Sequence, residues 1–402
     1  MRNGFKIFDA DAHVVEPKNL WERFLDARYQ HRVSWQQPIE GMDRFRPATV
    51  DGRYTQSHKT LYGRQQEAVR WTTEAMLAKY GEVVNKGFDG ASVRESMRVE
   101  GVDLMVLYGP GYDMWVDGID PDLQAGMARA YNRWSQEMRE TSGGRVLAAG
   151  PVPLNDITRA VEEVVYGYEH LDVRCFWARP NPFNNRTLGD RYFDPLWEIV
   201  QDLDVPFATH EFMGLVGPSA GEDRFSSFVE WHSCVHPMEA QMAILSMIVN
   251  GVYERFPSLR VAYMEAGSGW LPSWLHRIAE HVELAGWLET PECTKSPMEY
   301  FQRNCWITTE CDEHLVYQVI EEMGDERILF ETDFPHPDSK YPNAVQTFLD
   351  QEKLSDQSKR KILWDNAVDF YRFPDSHMPT DFEEQNPSHT DERPMGSAQR
   401  GD

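Results

Sequence analysis

Cysteine is scarce in this chain. Five occur in 402 residues (Cys175, Cys234, Cys293, Cys305 and Cys311), an odd number with no Cys-x-x-Cys pair. That excludes a disulfide framework and a thiolate metal site. Positive charge is also in deficit, with 40 Lys and Arg against 65 Asp and Glu and a net charge of −25. No basic stripe offsets it, so nucleic acid is not an expected partner. No apolar run reaches the length of a membrane span, and no signal peptide precedes the first apolar stretch. These absences lead us to expect a soluble, cytoplasmic protein acting on a small molecule. No Gly-x-Ser-x-Gly elbow or Walker-type loop occurs, and Gly267-Ser-Gly269 lacks the spacing of a nucleophile turn.

What is present is a series of short apolar runs with strand character. They lie at 5–9, 104–108, 146–152, 173–178, 206–209, 259–264, 305–309 and 328–332. Amphipathic helical patterns at 156–170, 193–203, 236–256 and 271–285 fill gaps between them. Eight strand–helix alternations predict a (β/α)8 barrel. A doubly wound open sheet is the weaker alternative, because no strand is followed by a Gly-rich phosphate loop.

The barrel domain is expected to span 1–373. A long insert, about 14–100, shows no clear strand and is expected to cap the barrel mouth. A second excursion at 211–235 should overhang the same end. From Asp375 onward the chain is polar and acidic. The segment 374–402 is therefore expected to be a disordered or partner-draped tail.

The chemistry is concentrated where apolar runs end. Asp9, Asp11 and His13 alternate at period two, which places them on one face of an extended strand. His210 ends the run Val205–Thr209, Glu265 follows Met264, and Asp333 closes Phe330-Glu-Thr-Asp. Carboxylates and imidazoles at the C-terminal ends of barrel strands converge on the mouth, where they suit a metal ion. Asp333 is also placed to take a proton, since a carboxylate can share a cation and accept hydrogen bonds. Glu265 is read as a metal ligand, an acid–base group or a partner orienting a histidine. His236, expected to begin a helix, is either without chemistry or a ligand for a second ion. His336 and Glu16 carry the same alternatives, and Glu310, Asp312 and His314 are weaker candidates. Arg179 is read as a bidentate anchor for a substrate carboxylate or as an ion pair at its strand end.

Taken together, Asp9-Ala-Asp-Ala-His-Val-Val-Glu-Pro17, His236-Pro-Met-Glu239, Met264-Glu-Ala-Gly-Ser-Gly-Trp-Leu-Pro272 and Thr332-Asp-Phe-Pro-His-Pro337 resemble the amidohydrolase superfamily. The similarity is to the amidohydrolase-related branch that contains aminocarboxymuconate-semialdehyde decarboxylase, and it runs from about 5 to 373. It implies a (β/α)8 barrel with a divalent metal at its C-terminal mouth, held by Asp11, His13, His210 and Asp333. The sequence departs from the better-known members. Asp11 replaces the first histidine of a His-x-His pair, and Glu265 replaces a histidine after the sixth strand. Arg179 stands where a carbamylated lysine would bridge two zinc ions, so a carbamate-bridged pair is not expected.

One or two ions per chain are expected, of zinc, manganese or iron, and the carboxylate-rich shell shifts the preference to manganese or iron. The leading expectation is a hydrolase of a small organic acid or amide. There a metal lowers the pKa of bound water to about 7 and Asp333 shuttles the proton. The alternatives are nonoxidative decarboxylation of an aromatic or unsaturated acid, an iron- or manganese-dependent oxygenase, and a structural metal-binding subunit. A homo-oligomer, or a hetero-oligomer with a paralogue, is expected.

Overall fold

The computed structural model describes residues 1–17, 19–35, 48–55, 65–109, 114–212 and 217–383. Eight parallel strands form the frame. They are β1 (Phe8–Ala12), β2 (Leu104–Leu107), β3 (Val146–Ala148, continuing as Gly150–Pro151), β4 (Phe176–Ala178), β5 (Phe207–Thr209), β6 (Val261–Tyr263), β7 (Cys305–Thr309) and β8 (Ile328–Phe330). Neighbours in sequence pair in parallel from β1 through β8, with β3 changing partner at Ala149. The ring closes between β8 and β1. The amide of Asp333 donates to the Asp11 carbonyl at 3.3 Å, and that of His13 donates to the Phe334 carbonyl at 2.5 Å. The predicted (β/α)8 barrel is what forms.

The strands are buried on both faces and mostly apolar, because helices cover the outside and side chains fill the inside. Ile7, Phe8, Val106, Phe176, Phe207, Val261, Ile307 and Leu329 are all buried. Aromatic rings plug the barrel. The Tyr371 hydroxyl donates to the Ala10 carbonyl at 2.6 Å and shares a 2.7 Å hydrogen bond with the Tyr108 hydroxyl. These bonds satisfy polar atoms that burial would otherwise leave unpaired.

Asp9 belongs to this frame and not to the mouth. An irregularity in the pairing of β1 between Asp9 and Ala12 breaks the expected alternation. The Asp9 carboxylate accepts the Thr332 amide at 3.0 Å and the Thr332 hydroxyl at 2.5 Å, tying β1 to the end of β8. Burial raises its pKa to about 7. Thr332→Val keeps the shape and removes the hydroxyl donor, leaving a carboxylate oxygen in the core short of a partner. The expected cost is about 1–3 kcal/mol, read as a lower urea midpoint at unchanged slope. An unchanged midpoint would show that the clamp contributes nothing.

Three expectations need correction. The insert does contain strands: Val33–Trp35, Ala48–Val50 and Arg53–Tyr54 make a small antiparallel sheet. Its last helix, Gly90–Glu100, is capped by Asp89 and leads into β2 as the first barrel helix. The excursion after β5 is shorter than expected, and His236 does not start a helix. The helix Phe228–Val249 begins more than two turns earlier, where Ser227 and Glu230 form a capping box. Residues 374–383 are not a free tail. Asp381 reaches Arg145, His377 pairs with Asp172 at 2.6 Å, and the Phe382 ring lies 5.4 Å from that of Trp364. The remainder, 384–402, lies outside the described residues.

Candidate metal centre

The C-terminal ends of β1, β5, β6 and β8 bring Asp11, His13, His210, Glu265 and Asp333 together. His13 presents Nδ1 to the Tyr108 carbonyl at 3.0 Å, which aims Nε2 into the mouth. There Nε2 lies 3.3 Å from Asp333 Oδ1, 3.7 Å from Glu265 Oε2 and 3.9 Å from Asp11 Oδ1. His210 Nε2 lies 2.9 Å from Glu265 Oε2 and 3.5 Å from Asp11 Oδ2. His236 comes from the long helix, with Nε2 3.6 Å from Glu265 Oε1. His336 follows β8 and sets Nδ1 2.7 Å from Asp333 Oδ1.

Two of the carboxylates sit on strained backbone. Glu265 has φ 46° and Asp333 φ 54°, the left-handed region that side chains other than glycine, asparagine and aspartate seldom adopt. Such conformations persist where the surrounding structure enforces them, and they cluster at functional sites. Here the left-handed turn directs each carboxylate back into the mouth at the point where the strand ends.

The donor set fits a divalent cation. Both Asp11 oxygens, His13 Nε2, His210 Nε2, Glu265 Oε2 and Asp333 Oδ1 are buried without a hydrogen-bond partner. Buried polar atoms are rarely left so, and a cation among them would offer them a partner. Burial lowers the pKa of His210, and that of His236 to about 4, so both imidazoles are neutral with a lone pair to give. Burial also disfavours a charged His13, but Asp333 and Glu265 outweigh it and raise its pKa. A bound cation displaces that proton. Burial alone would push Glu265 up, but the imidazoles of His236, His13 and His210 hold it well below the usual carboxylate range. Asp11 moves the other way, raised by burial.

Not every expected residue is in the cluster. Glu16 belongs to neither group of donor atoms that meets here. Its Oε1 lies 2.6 Å from where a Cβ on Gly109 would stand, a close approach that the glycine permits. Arg179 is committed elsewhere. Its Nη2 and Nε donate to the two Glu211 oxygens at 3.0 and 3.3 Å, and both residues are buried. The structure shows the ion pair of the second alternative.

One participant went unnoticed in the sequence. Glu331 accepts the Glu265 amide on Oε2 at 3.2 Å and leaves Oε1 buried and unpaired. Burial and the charge of Asp11 raise its pKa well above the usual range. Its signal was its place two residues before Asp333, on the same face of an extended chain.

A cavity of about 340 Å³ opens beside the cluster, between the ends of β6, β7 and β8 and the long helix. His236, Glu265 and Asp333 line it on the metal side, and Glu310, Cys311 and Lys340 on the far side. Glu310 is raised to about 7 by burial and by Asp312. Lys340 pairs with Asp312 at 2.9 Å. The volume is in the usual range for small-molecule sites, about 300–1000 Å³. Among the described residues no helix is long and apolar enough to cross a membrane.

Comparison with known proteins agrees with this architecture. Residues 9–373 match the family described as amidohydrolase. A gamma-resorcylate decarboxylase of Polaromonas sp. strain JS666 is 26% identical over 258 residues, covering 61% of this chain and 76% of the relative. The 2-amino-3-carboxymuconate-6-semialdehyde decarboxylase of Dictyostelium discoideum is 27% identical over 233 residues, 56% of this chain and 61% of the relative. Among solved structures, the 5-carboxyvanillate decarboxylase of Novosphingobium aromaticivorans, complexed with manganese and 4-hydroxy-3-methoxy-5-nitrobenzoic acid, superimposes with a TM-score of 0.65. It is 18% identical and covers 92% of this chain and 96% of its own. These relatives overturn the expected hydrolase. They are decarboxylases, the alternative that the same cluster allowed.

Proposed function

The chain belongs to the amidohydrolase family, and from that premise we propose that it is a metal-dependent, nonoxidative decarboxylase of an aromatic or unsaturated carboxylic acid. The reading is carried by one observation: the curated relatives reported above break a carbon–carboxylate bond, and this chain offers a carboxylate- and imidazole-rich centre beside a small cavity.

Asp11, His13, His210 and Asp333 would hold the ion, with Glu265 against them. When bound, the divalent ion supplies a positive anchor for the substrate carboxylate and an adjoining oxygen, and draws electron density from the bond that breaks. The chain's own residues handle the proton. The carbon–carboxylate bond breaks, carbon dioxide leaves, and the electron pair stays on the substrate carbon. Asp333, facing the cavity, delivers a proton to that carbon. His336 Nδ1, hydrogen-bonded to Asp333 Oδ2 at 2.8 Å, returns a proton to the carboxylate. Its own pKa is raised: burial opposes the charge, and Asp333 outweighs burial.

We assign the insert the role of a cover that keeps bulk water from the carbanion-like centre. In support, the Tyr80 hydroxyl donates to the His336 carbonyl at 3.0 Å, and Lys79 Nζ to the Pro337 carbonyl at 3.4 Å.

The test is turnover of a panel of single-ring hydroxylated and unsaturated carboxylic acids by manganese-loaded protein in D2O. One mole of carbon dioxide per mole of product is expected, without oxygen uptake, and with one deuterium at the carbon that lost the carboxylate. Oxygen consumption matched to product, or no carbon dioxide from any acid in the panel, would defeat the proposal.

A further inference from the structure

We propose that Glu313 is a positioning residue for Glu265. Its carboxylate holds the Gly267-Ser-Gly269 turn and thereby keeps Glu265 aimed at His210 and His236. The inference rests on the metal-centre reading above and not on the reaction assigned to it. Glu313 lies in the loop that follows β7, and its carboxylate reaches across to the turn that follows β6. The Ser268 amide donates to both Glu313 oxygens at 2.9 Å, and the Ser268 hydroxyl donates to Oε2 at 2.9 Å. The Gly269 amide donates to Oε1. From the end of β7, the Thr309 hydroxyl donates to Oε2 at 2.7 Å. A carboxylate has about four acceptor sites, and these two amides and two hydroxyls occupy them. Glu313 is therefore committed to the turn.

The same contacts stand where a helix cap would. The helix Leu271–His281 has no side-chain cap at Trp270. A negative charge before its first turn is favourable, so Glu313 contributes to the fold as well. Positioning adds to that because of where the turn leads. Glu265 has φ 46° and Gly267 φ 63°. A left-handed glutamate persists only where the chain on either side leaves it no easier path. On one side, the Glu265 amide is pinned to Glu331 Oε2 at 3.2 Å. On the other, Glu313 pins the chain at Ser268. Between them, the Trp270 indole donates to the Ala266 carbonyl at 2.7 Å. With both ends fixed, Glu265 Oε2 stands 2.9 Å from His210 Nε2, and Oε1 stands 3.6 Å from His236 Nε2. Released at Ser268, Glu265 is free to return to ordinary backbone and leave both imidazoles.

The residues around the clamp are fitted to it. Ser268 is fully buried, and its hydroxyl spends its proton on Glu313. A Cβ on Gly269 would stand 3.0 Å from Glu313 Oε1 and 3.1 Å from the Leu315 Cβ, closer than side chains pack. Glycine at 269 is what admits the carboxylate to the backbone. The Gly-Ser-Gly turn, which lacks the spacing of a nucleophile turn, thus receives an anion from its own chain. The clamp also ties together two walls of the cavity. Ala266 and Gly267 line one, and Glu310, Cys311 and Asp312 line the other.

The test is the manganese affinity of the metal-free full chain, read from the free-ion electron paramagnetic resonance signal during titration. E313Q keeps the size of the side chain and replaces one acceptor oxygen by a donor. It should weaken manganese binding by about 10–100-fold, the usual effect of removing a partner that orients a ligand. On an E265Q background the same change should cost nothing further, because the group it positions is already disabled. A purely structural role gives a different pattern. It lowers the melting temperature in circular dichroism and leaves the affinity unchanged, or it costs the same affinity in both backgrounds. Either result overturns the proposal. If E313Q does not fold, Gly269→Ala carries the same cycle, since it crowds the carboxylate and keeps every donor. It should weaken binding in the parent and not in E265Q, and an equal loss in both overturns the proposal. The two readings fail separately. A parent that binds no manganese overturns the centre and this inference with it. A parent that binds manganese and releases no carbon dioxide overturns the assigned reaction alone.

Discussion

Asp333→Asn is expected to lower carbon dioxide release by about 10²–10⁴-fold while the protein stays folded. Asparagine matches aspartate in size and is one of the few residues that tolerates the left-handed backbone required at φ 54°. The variant therefore keeps the turn at the end of β8 and loses only the acid. Its amide has no proton to give to the substrate carbon and no negative charge to share with His336 or a cation. Because Asp333 is also a ligand, manganese content must be measured beside kcat. If the loaded variant remains slow, the loss lies in proton delivery. If adding manganese restores the rate, Asp333 acts only as a ligand. His336→Gln should cost less, because it leaves Asp333 itself in place as acid and ligand. Turnover of the Asn variant within about tenfold of the parent would move the catalytic acid elsewhere.

The strands and the mouth were legible in the sequence for the same reason. A strand covered on both faces must be a continuous apolar run, and the first polar residue after it marks the exit from the core. That is why His210, Glu265 and Asp333 could be found one at a time, while Asp11 and His13 showed in the alternation of the first strand, and all five then prove to be neighbours. What could not be read was pairing across the ring. Asp9 follows the same alternation as Asp11 and His13, and only the pairing irregularity and Thr332 reveal that it serves the frame. The start of the long helix was signalled by Ser227 and Glu230, but Pro237 and the polar stretch before it obscured that cap.

The reaction class was illegible for a different reason. A divalent ion, a carboxylate that carries a proton and a small cavity serve hydrolysis and decarboxylation equally well. The residues that separate them line the substrate pocket, which draws on the ends of three strands and a helix far apart in the chain. Only the company of relatives that break carbon–carboxylate bonds separated the two.

Arg179→Met is expected to destabilise the fold by about 3–5 kcal/mol, an effect that a substrate anchor would not produce. Arg179 and Glu211 are buried at the ends of adjacent strands, and the guanidinium meets both carboxylate oxygens. Ser219 adds a third contact to Glu211 at 3.3 Å. Burial already raises the Glu211 pKa, with Arg179 pulling against it, and Glu239 nearby is raised to about 7 by burial and by the charge of Glu211. Removing the guanidinium leaves two carboxyls in the interior with no cation between them. The sign of the pH dependence follows. A buried carboxyl without its cation binds a proton more tightly folded than unfolded, so the deficit shrinks as the pH falls and grows as the pH rises through the raised folded-state pKa. The double variant Arg179→Met, Glu211→Met removes both charges and should recover most of the lost stability, since packed apolar groups can replace a buried ion pair at little cost. Urea melts of the parent, both single variants and the double variant measure the coupling. If Arg179→Met keeps the parent's midpoint while KM rises, and the double variant recovers nothing, then Arg179 grips substrate and its contact with Glu211 is incidental.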